Sequence, residues 1–313
     1  MDRIDGFLVI DNCERKLALE HHKKNNHYWI YIDGIEYYFK PTDNCYNELI
    51  GYNMANFLGI DACYCDLAIL NGQKGIISRS LRNDKINLVS GKDILNEYAY
   101  GSISNLYWIK KMMDESDFMK KMWFDNKYRD KSDLVSNGIN DLENIWHALE
   151  YKYKLDERFD IEKVMYQVIT MYIFTLLSYD TDKYAINWLI IEDEDNVKLA
   201  PLLDNEDAFN YTKDKLNQSK KLNLSTNSET YYYSQLEAID IFLNNSSYEY
   251  FVLFNDMYEK IYNNFENIIR DVEEKIGGLI PIHKKLVMVN GFYKNMGQIR
   301  NCLDKYNNKF KIK

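Results

Sequence analysis

The sequence predicts an α+β chain in two lobes, a small β-rich lobe over residues 1–88 and a large helical lobe over 89–313. Three observations predict it. Short apolar runs separated by turn dipeptides fill the first part. Amphipathic segments at helical spacing fill the second. The composition, 46% hydrophobic with 27 Tyr, 14 Phe and 5 Trp in 313 residues, supplies a large core and argues against disorder.

In the first part, strands are expected at Gly6–Ile10, Tyr28–Ile32, Glu36–Phe39, Asp66–Leu70 and Lys74–Ser80. Asp33-Gly34 and Asn71-Gly72 sit between consecutive runs and are strong hairpin signals. One helix interrupts the strands from Tyr46 to Leu58. Its Leu49, Ile50, Met54, Phe57 and Leu58 recur at helical spacing, and Gly59 is placed to end it. In the second part, helices are expected at 92–98, 104–123, 140–154, 161–178, 230–244, 247–276 and 281–310. A β-hairpin at 188–201 is the one strand-like insertion there.

The net charge of −9 opposes direct nucleic-acid binding, which needs basic groups to replace counterions at phosphates. Five cysteines, at 13, 45, 63, 65 and 302, include one C-x-C pair with no second cluster, so they read as reduced thiols and not as a zinc site. The first residues carry charges where a signal peptide is apolar. The most apolar stretch, Met165–Leu177, is too short to span a bilayer, so no membrane association is expected. The expectation is a cytoplasmic protein, with secretion by a route that needs no cleaved signal left open.

Chemistry concentrates in a few positions. Lys40 ends the aromatic strand EYYFKP, and Glu48 follows near the start of the first helix. A strand lysine that reaches the α/β-phosphates of ATP, fixed by a helix glutamate, is an arrangement that kinases use. An exposed lysine and a glutamate favoured by the helix macrodipole is the competing reading of this pair alone. Asp182 and Asn187 lie five residues apart in the polar loop after helix 161–178. Asp182 would orient the attacking hydroxyl or accept its proton, and Asn187 would bind magnesium. The spacing alone is common by chance. Asp180 competes for the base role from seven residues before Asn187. Asp204, after the hairpin and Ala200-Pro201-Leu202-Leu203, suits a second magnesium ligand, whereas Asp193, Glu194 and Asp195 read as a solvated hairpin tip. The polar stretch Asp207–Glu229 reads as a long surface loop, in the position of an activation segment. It and its flank offer Thr212, Ser219, Ser225, Thr226, Ser228 and Thr230 as phosphoacceptors.

Two blocks, YYFKPTDNCYNELIGYNMANFLGI and LLSYDTDKYAINWLIIEDEDNVKLAPLLDNEDAF, together with GIISRSL at 75–81, resemble the HipA-like serine/threonine kinases. The resemblance implies a two-lobed protein-kinase-like fold and transfer of the ATP γ-phosphate to a protein Ser or Thr with Mg2+. It makes Lys40 the ATP lysine, Glu48 its ion-pair partner, Asp182 the catalytic Asp, and Asn187 and Asp204 the metal ligands. It implies a toxin or regulatory kinase, with a small antitoxin or a separate protein in place of an extra N-terminal domain as partner. Two positions depart from the family. Tyr184 stands where a His is usual. The phosphate-covering loop near His21–His27 holds no glycine, and Asn25 and Asn26 tolerate the left-handed backbone instead. His22, Lys23, Lys24 and His27 supply positive charge there, so His27 joins the nucleotide-binding candidates. The departures keep a nucleotide-binding pseudokinase or interaction module open beside the kinase, as is a small-molecule kinase.

Overall fold

The computed structural model describes residues 2–11, 13–18, 27–101, 140–180, 183, 185–209 and 235–311. The catalytic candidate Asp182, Tyr184, the basic loop 19–26, the helix expected at 104–123 and all of the activation-like segment after Phe209 lie outside the described residues.

The first lobe is a seven-stranded sheet. Its strands are β1 (Arg3–Ile4), β2 (Phe7–Ile10), β3 (Glu14–Leu17), β4 (Tyr28–Ile32), β5 (Ile35–Pro41), β6 (Cys65–Leu70) and β7 (Gln73–Arg79), with α1 (Cys45–Phe57) inserted between β5 and β6. The order is β1-β2-β6-β7-β5-β4-β3. Only β2 and β6 run parallel. The two expected hairpins form on turns whose both central residues have positive φ: Asp33 at 51° and Gly34 at 77°, Asn71 at 52° and Gly72 at 78°. That is the turn whose twist matches a hairpin, and the reason these dipeptides are informative. β1 and β3 were not expected. β3 is an exposed Glu-Arg-Lys-Leu edge strand with no apolar alternation to betray it.

The strand period sorts β5 into two faces. Phe39 points to a small core with Ile10, Ile30, Ala68, Leu70 and Ile77. Tyr38 and Lys40 therefore point to the opposite face, where Cys65, Leu67 and Ile76 pack against Leu49, Ile50 and Met54 of α1. α1 ends at Phe57 with Leu58 as its C-cap, and Gly59 follows with φ +76°, as its sequence suggests.

The second lobe is mostly helical: α2 (Gly91–Gly101), α3 (Leu142–Tyr153), α4 (Ile161–Ser178), α5 (Gln235–Asn245), α6 (Tyr248–Ile276) and α7 (Ile282–Lys311). Asp141, Asp160 and Ser247 cap α3, α4 and α6 through their side chains. The hairpin of β9 (Leu189–Glu192) and β10 (Val197–Leu199) is joined by β8 (Asn87–Ser90), making a three-stranded sheet in the order β10-β9-β8. The insertion is thus larger than the lone hairpin expected, because β8 pairs across about a hundred residues of chain. The boundary expected after residue 88 falls within β8. Long helices α6 and α7 pack through Phe265 and Phe292, whose rings stack at 3.7 Å. The end of α6 reaches the first lobe, where Lys275 lies over the rings of Tyr52 and Tyr64. Among the described residues, no helix is long and apolar enough to cross a membrane.

Candidate active site

Three segments build the site. α4 ends at Tyr179 in the left-handed conformation, φ 56°, with its N–H donating to the Thr175 carbonyl. The loop then runs through Asp180 and Lys183 to a 3-10 turn at Ala185–Asn187. Asn187 is buried on that turn. The next residue, Trp188, is pinned by its indole N–H donating to Asn140 Oδ1 at 3.0 Å, and Asn140 Nδ2 donates to the Lys183 carbonyl at 3.2 Å. Asn140 therefore ties Lys183 in the loop to Trp188 just after the turn.

The segment after β10 crosses to the first lobe. Leu202 N–H donates to Asp61 O at 2.8 Å and Cys63 N–H donates to Leu202 O at 2.7 Å, so the chain leaving α1 pairs with the Ala-Pro-Leu-Leu-Asp element. This places Asp204 beside the sheet. Asp204 has φ +55°. A left-handed non-glycine residue costs roughly 1–3 kcal/mol and tends to occur where function requires it. Asn205 packs on α1, where a Cβ at Gly51 would come within 2.9 Å of Asn205 Cβ. Only glycine admits that approach.

Lys40 and Asp204 meet. Lys40 Nζ donates to Asp204 Oδ1 at 2.8 Å and lies 2.9 Å from Glu206 Oε1. Burial would lower the lysine pKa, but the carboxylates of Asp204 and Glu206 outweigh it and hold it well above the ordinary value. The ion pair expected between Lys40 and Glu48 is not the one formed. Glu48 is buried on α1 and accepts from Asn205 Nδ2 at 3.5 Å. The reason is electrostatic. Burial first, and the Asp204 charge next, raise the Glu48 carboxyl to about 8, against the pull of Lys183 and Lys40. A carboxyl raised in this way offers the ammonium little attraction, and Lys40 is held instead by Asp204 and Glu206, whose side chains are 29% and 25% exposed. Glu206 has no place among the sequence candidates, since in Asp-Asn-Glu-Asp it reads as part of a polar loop.

His27 is a half-step removed from this cluster. It precedes β4, its Nδ1 lies 2.5 Å from Tyr38 Oη, and its ring meets Tyr38 edge-on at 5.5 Å. Tyr38 also packs on Trp29 at 4.9 Å. Since Tyr38 shares a face with Lys40, this aromatic group borders the lysine.

Sequence reading missed Lys183 altogether. Its side chain is 1% exposed, and its ammonium lies 3.2 Å from Asp180 Oδ2. A lysine in a polar loop ordinarily reads as solvated, and nothing local marks this one.

The raised Glu48 carboxyl predicts a pH dependence of stability in the absence of nucleotide and Mg2+. Its folded-state value near 8 lies above the ordinary 4.5, so the folded state holds the extra proton between them. This contribution is complete below about 4.5 and is lost as pH rises through about 8. Glu48→Gln keeps the neutral form at every pH. Thermal melts from pH 5 to pH 8 are expected to show the variant gaining steadily on the wild type; parallel curves would count against a protonated Glu48.

The two lobes, the strand lysine and the loop Asp after the second-lobe hairpin define a protein-kinase-like α+β fold. Comparison with protein-family models and with curated protein sequences returns no match. Among solved structures, the crystal structure of the Helicobacter pylori proinflammatory kinase CtkA superposes with a TM-score of 0.62 at 12% identity, covering 96% of this chain and 98% of that one. HipA of Shewanella oneidensis MR-1, from a toxin–antitoxin complex with HipB and operator DNA, gives a TM-score of 0.46 at 12% identity, over 89% of this chain and 62% of that one. At this identity the CtkA likeness establishes the fold.

Proposed function

We propose that the chain is a Mg2+- and ATP-dependent protein serine/threonine kinase. The observation that supports it most is the convergence of Lys40 and Asp204, one from each lobe, at 2.8 Å. The donor set suits a magnesium nucleotide. Asp204 offers hard carboxylate oxygens, and a cationic group already lies 2.8 Å from one of them. Asn187 and Asp204 would hold the ion, which when bound neutralises charge on the phosphates.

The chain's own residues then divide the work. Lys40 would hold the α/β-phosphates in place of its carboxylates, and Tyr38 and Trp29 on the same face offer flat apolar surface beside it. Asp182 orients the acceptor hydroxyl and takes its proton; this role rests on its spacing to Asn187. A second reading, a nucleotide-binding pseudokinase, draws on one observation: Lys40 is engaged by two carboxylates while Glu48 lies behind it.

The kinase reading predicts Mg2+-dependent incorporation of γ-phosphate into the protein itself or an added Ser/Thr substrate, and its loss in Asp182→Asn. A nucleotide-induced thermal shift with no transfer by the wild type would select the pseudokinase. Equal transfer by wild type and variant would remove Asp182 from its role.

A further inference from the structure

We propose that Lys183 is a positioning residue that sets the backbone of Asp204 and thereby aims its carboxylate; this rests on the reading of Asp204 as a metal ligand. The Lys183 ammonium donates to three oxygens of one short segment: Leu203 O at 2.7 Å, Asp204 O at 3.0 Å and Asn205 Oδ1 at 3.1 Å. An ammonium has three protons, and all three are satisfied within residues 203–205. Asp180 supplies the countercharge at 3.2 Å from the other side. A buried charge with a complete set of partners is costly to disturb on either side.

The identity of two of those acceptors matters. The Leu203 and Asp204 carbonyls flank the Asp204 Cα, and their relative direction is fixed by the φ and ψ of Asp204. A single cation that binds both selects the backbone conformation in which they converge. Asp204 has φ +55°, a left-handed conformation that Asp adopts more readily than most residues but still against crowding at its Cβ. Lys183 thus compensates that crowding from the second-lobe loop, while the Asp204 side chain points the other way, to Lys40. Asn205 extends the same network to Glu48 on α1. Asp180, Lys183, Asn205 and Glu48 form a polar chain from the loop before Asn187 to the first-lobe helix, running beneath the carboxylate that faces the cleft.

The test uses Asp180→Asn/Lys183→Met, which removes the ammonium without stranding its countercharge, with Lys183→Arg as the charge-keeping comparison. Amide exchange of the peptide spanning 200–209 is followed in the ligand-free protein. The Mg2+ concentration giving half of the thermal shift is followed with a non-hydrolysable ATP analogue. Positioning predicts faster exchange confined to that peptide and a half-point raised at least tenfold in the double variant. The arginine variant should recover only part of the affinity, since a planar guanidinium cannot converge on three oxygens as an ammonium does. A folded double variant with unchanged exchange in 200–209, or with an unchanged Mg2+ half-point, would overturn the proposal. If the wild type itself shows no response to Mg2+ and the analogue, the kinase reading fails, and the exchange measurement alone decides whether Lys183 sets the Asp204 backbone.

Discussion

Asp204→Asn is expected to lower phosphoryl transfer at least about a hundredfold, while Glu206→Gln is expected to strengthen nucleotide binding up to about fivefold. Both carboxylates hold the same ammonium, at 2.8 and 2.9 Å. Their roles part when nucleotide enters. Asp204 is held by a strained backbone and by Lys183, and it is the Asp that follows the second-lobe hairpin. A metal held there would supply several kcal/mol of charge stabilisation, and loss of one preorganised electrostatic group typically costs about 10²–10³ in rate. Glu206 has no comparable support beyond Asn47 Nδ2 donating to its carbonyl at 3.4 Å. Its carboxylate keeps Lys40 from other anions, and a partly exposed pair of this kind is worth about 1 kcal/mol at most. Removing that competitor therefore shifts the lysine toward phosphate by a factor of about five. Turnover with radiolabelled ATP and titration with an ATP analogue read the two outcomes. Equal losses in both variants would show that the carboxylates are interchangeable.

The same glycine-to-alanine change is expected to have opposite effects at two helical positions. A Cβ at Gly91 would lie 2.1 Å from Trp188 Cε2 and 2.3 Å from Cζ2. The ring has no room to yield, because Trp188 is 2% exposed, its indole is bonded to Asn140, and its carbonyl accepts from Gly91 N–H at 2.9 Å. Gly91→Ala should lose about 3 kcal/mol, the upper part of the range for overpacking. It should also lower transfer, since Trp188 adjoins Asn187. Gly297 in α7 has nothing within 4 Å of its added Cβ. There Ala should gain about 0.5–1 kcal/mol from helix propensity alone. Urea denaturation of the two variants measures both signs. A stable Gly91→Ala would show that the Trp188 anchor is loose.

Much of this fold was legible because its local signals are strong. Asp33-Gly34 and Asn71-Gly72 made the hairpins, and the apolar spacing of 161–178 and 247–276 marked α4 and α6 almost to the residue. What escaped is non-local. β3 is exposed and charged, and β8 is a strand only because β9 lies beside it. The same division runs through the site. Lys40 and Asp204 stood out as candidates by chain order. Their direct pairing, the raised Glu48 carboxyl and the contact of Glu206 with Lys40 depend on burial and three-dimensional placement, which spacing does not carry. Lys183 is the extreme case: in Asp-Lys-Tyr nothing distinguishes a solvated lysine from one enclosed by four oxygens.

Lys40, Asn187 and Asp204 are proposed to form one magnesium-nucleotide site. A crystal structure with Mg2+ and a non-hydrolysable ATP analogue tests it most directly. The expected result is a metal bound by Asn187 and Asp204, with Lys40 Nζ moved off Asp204 and Glu206 onto the α/β-phosphates. Nucleotide bound elsewhere, or Lys40 still paired with both carboxylates beside a bound nucleotide, would contradict it.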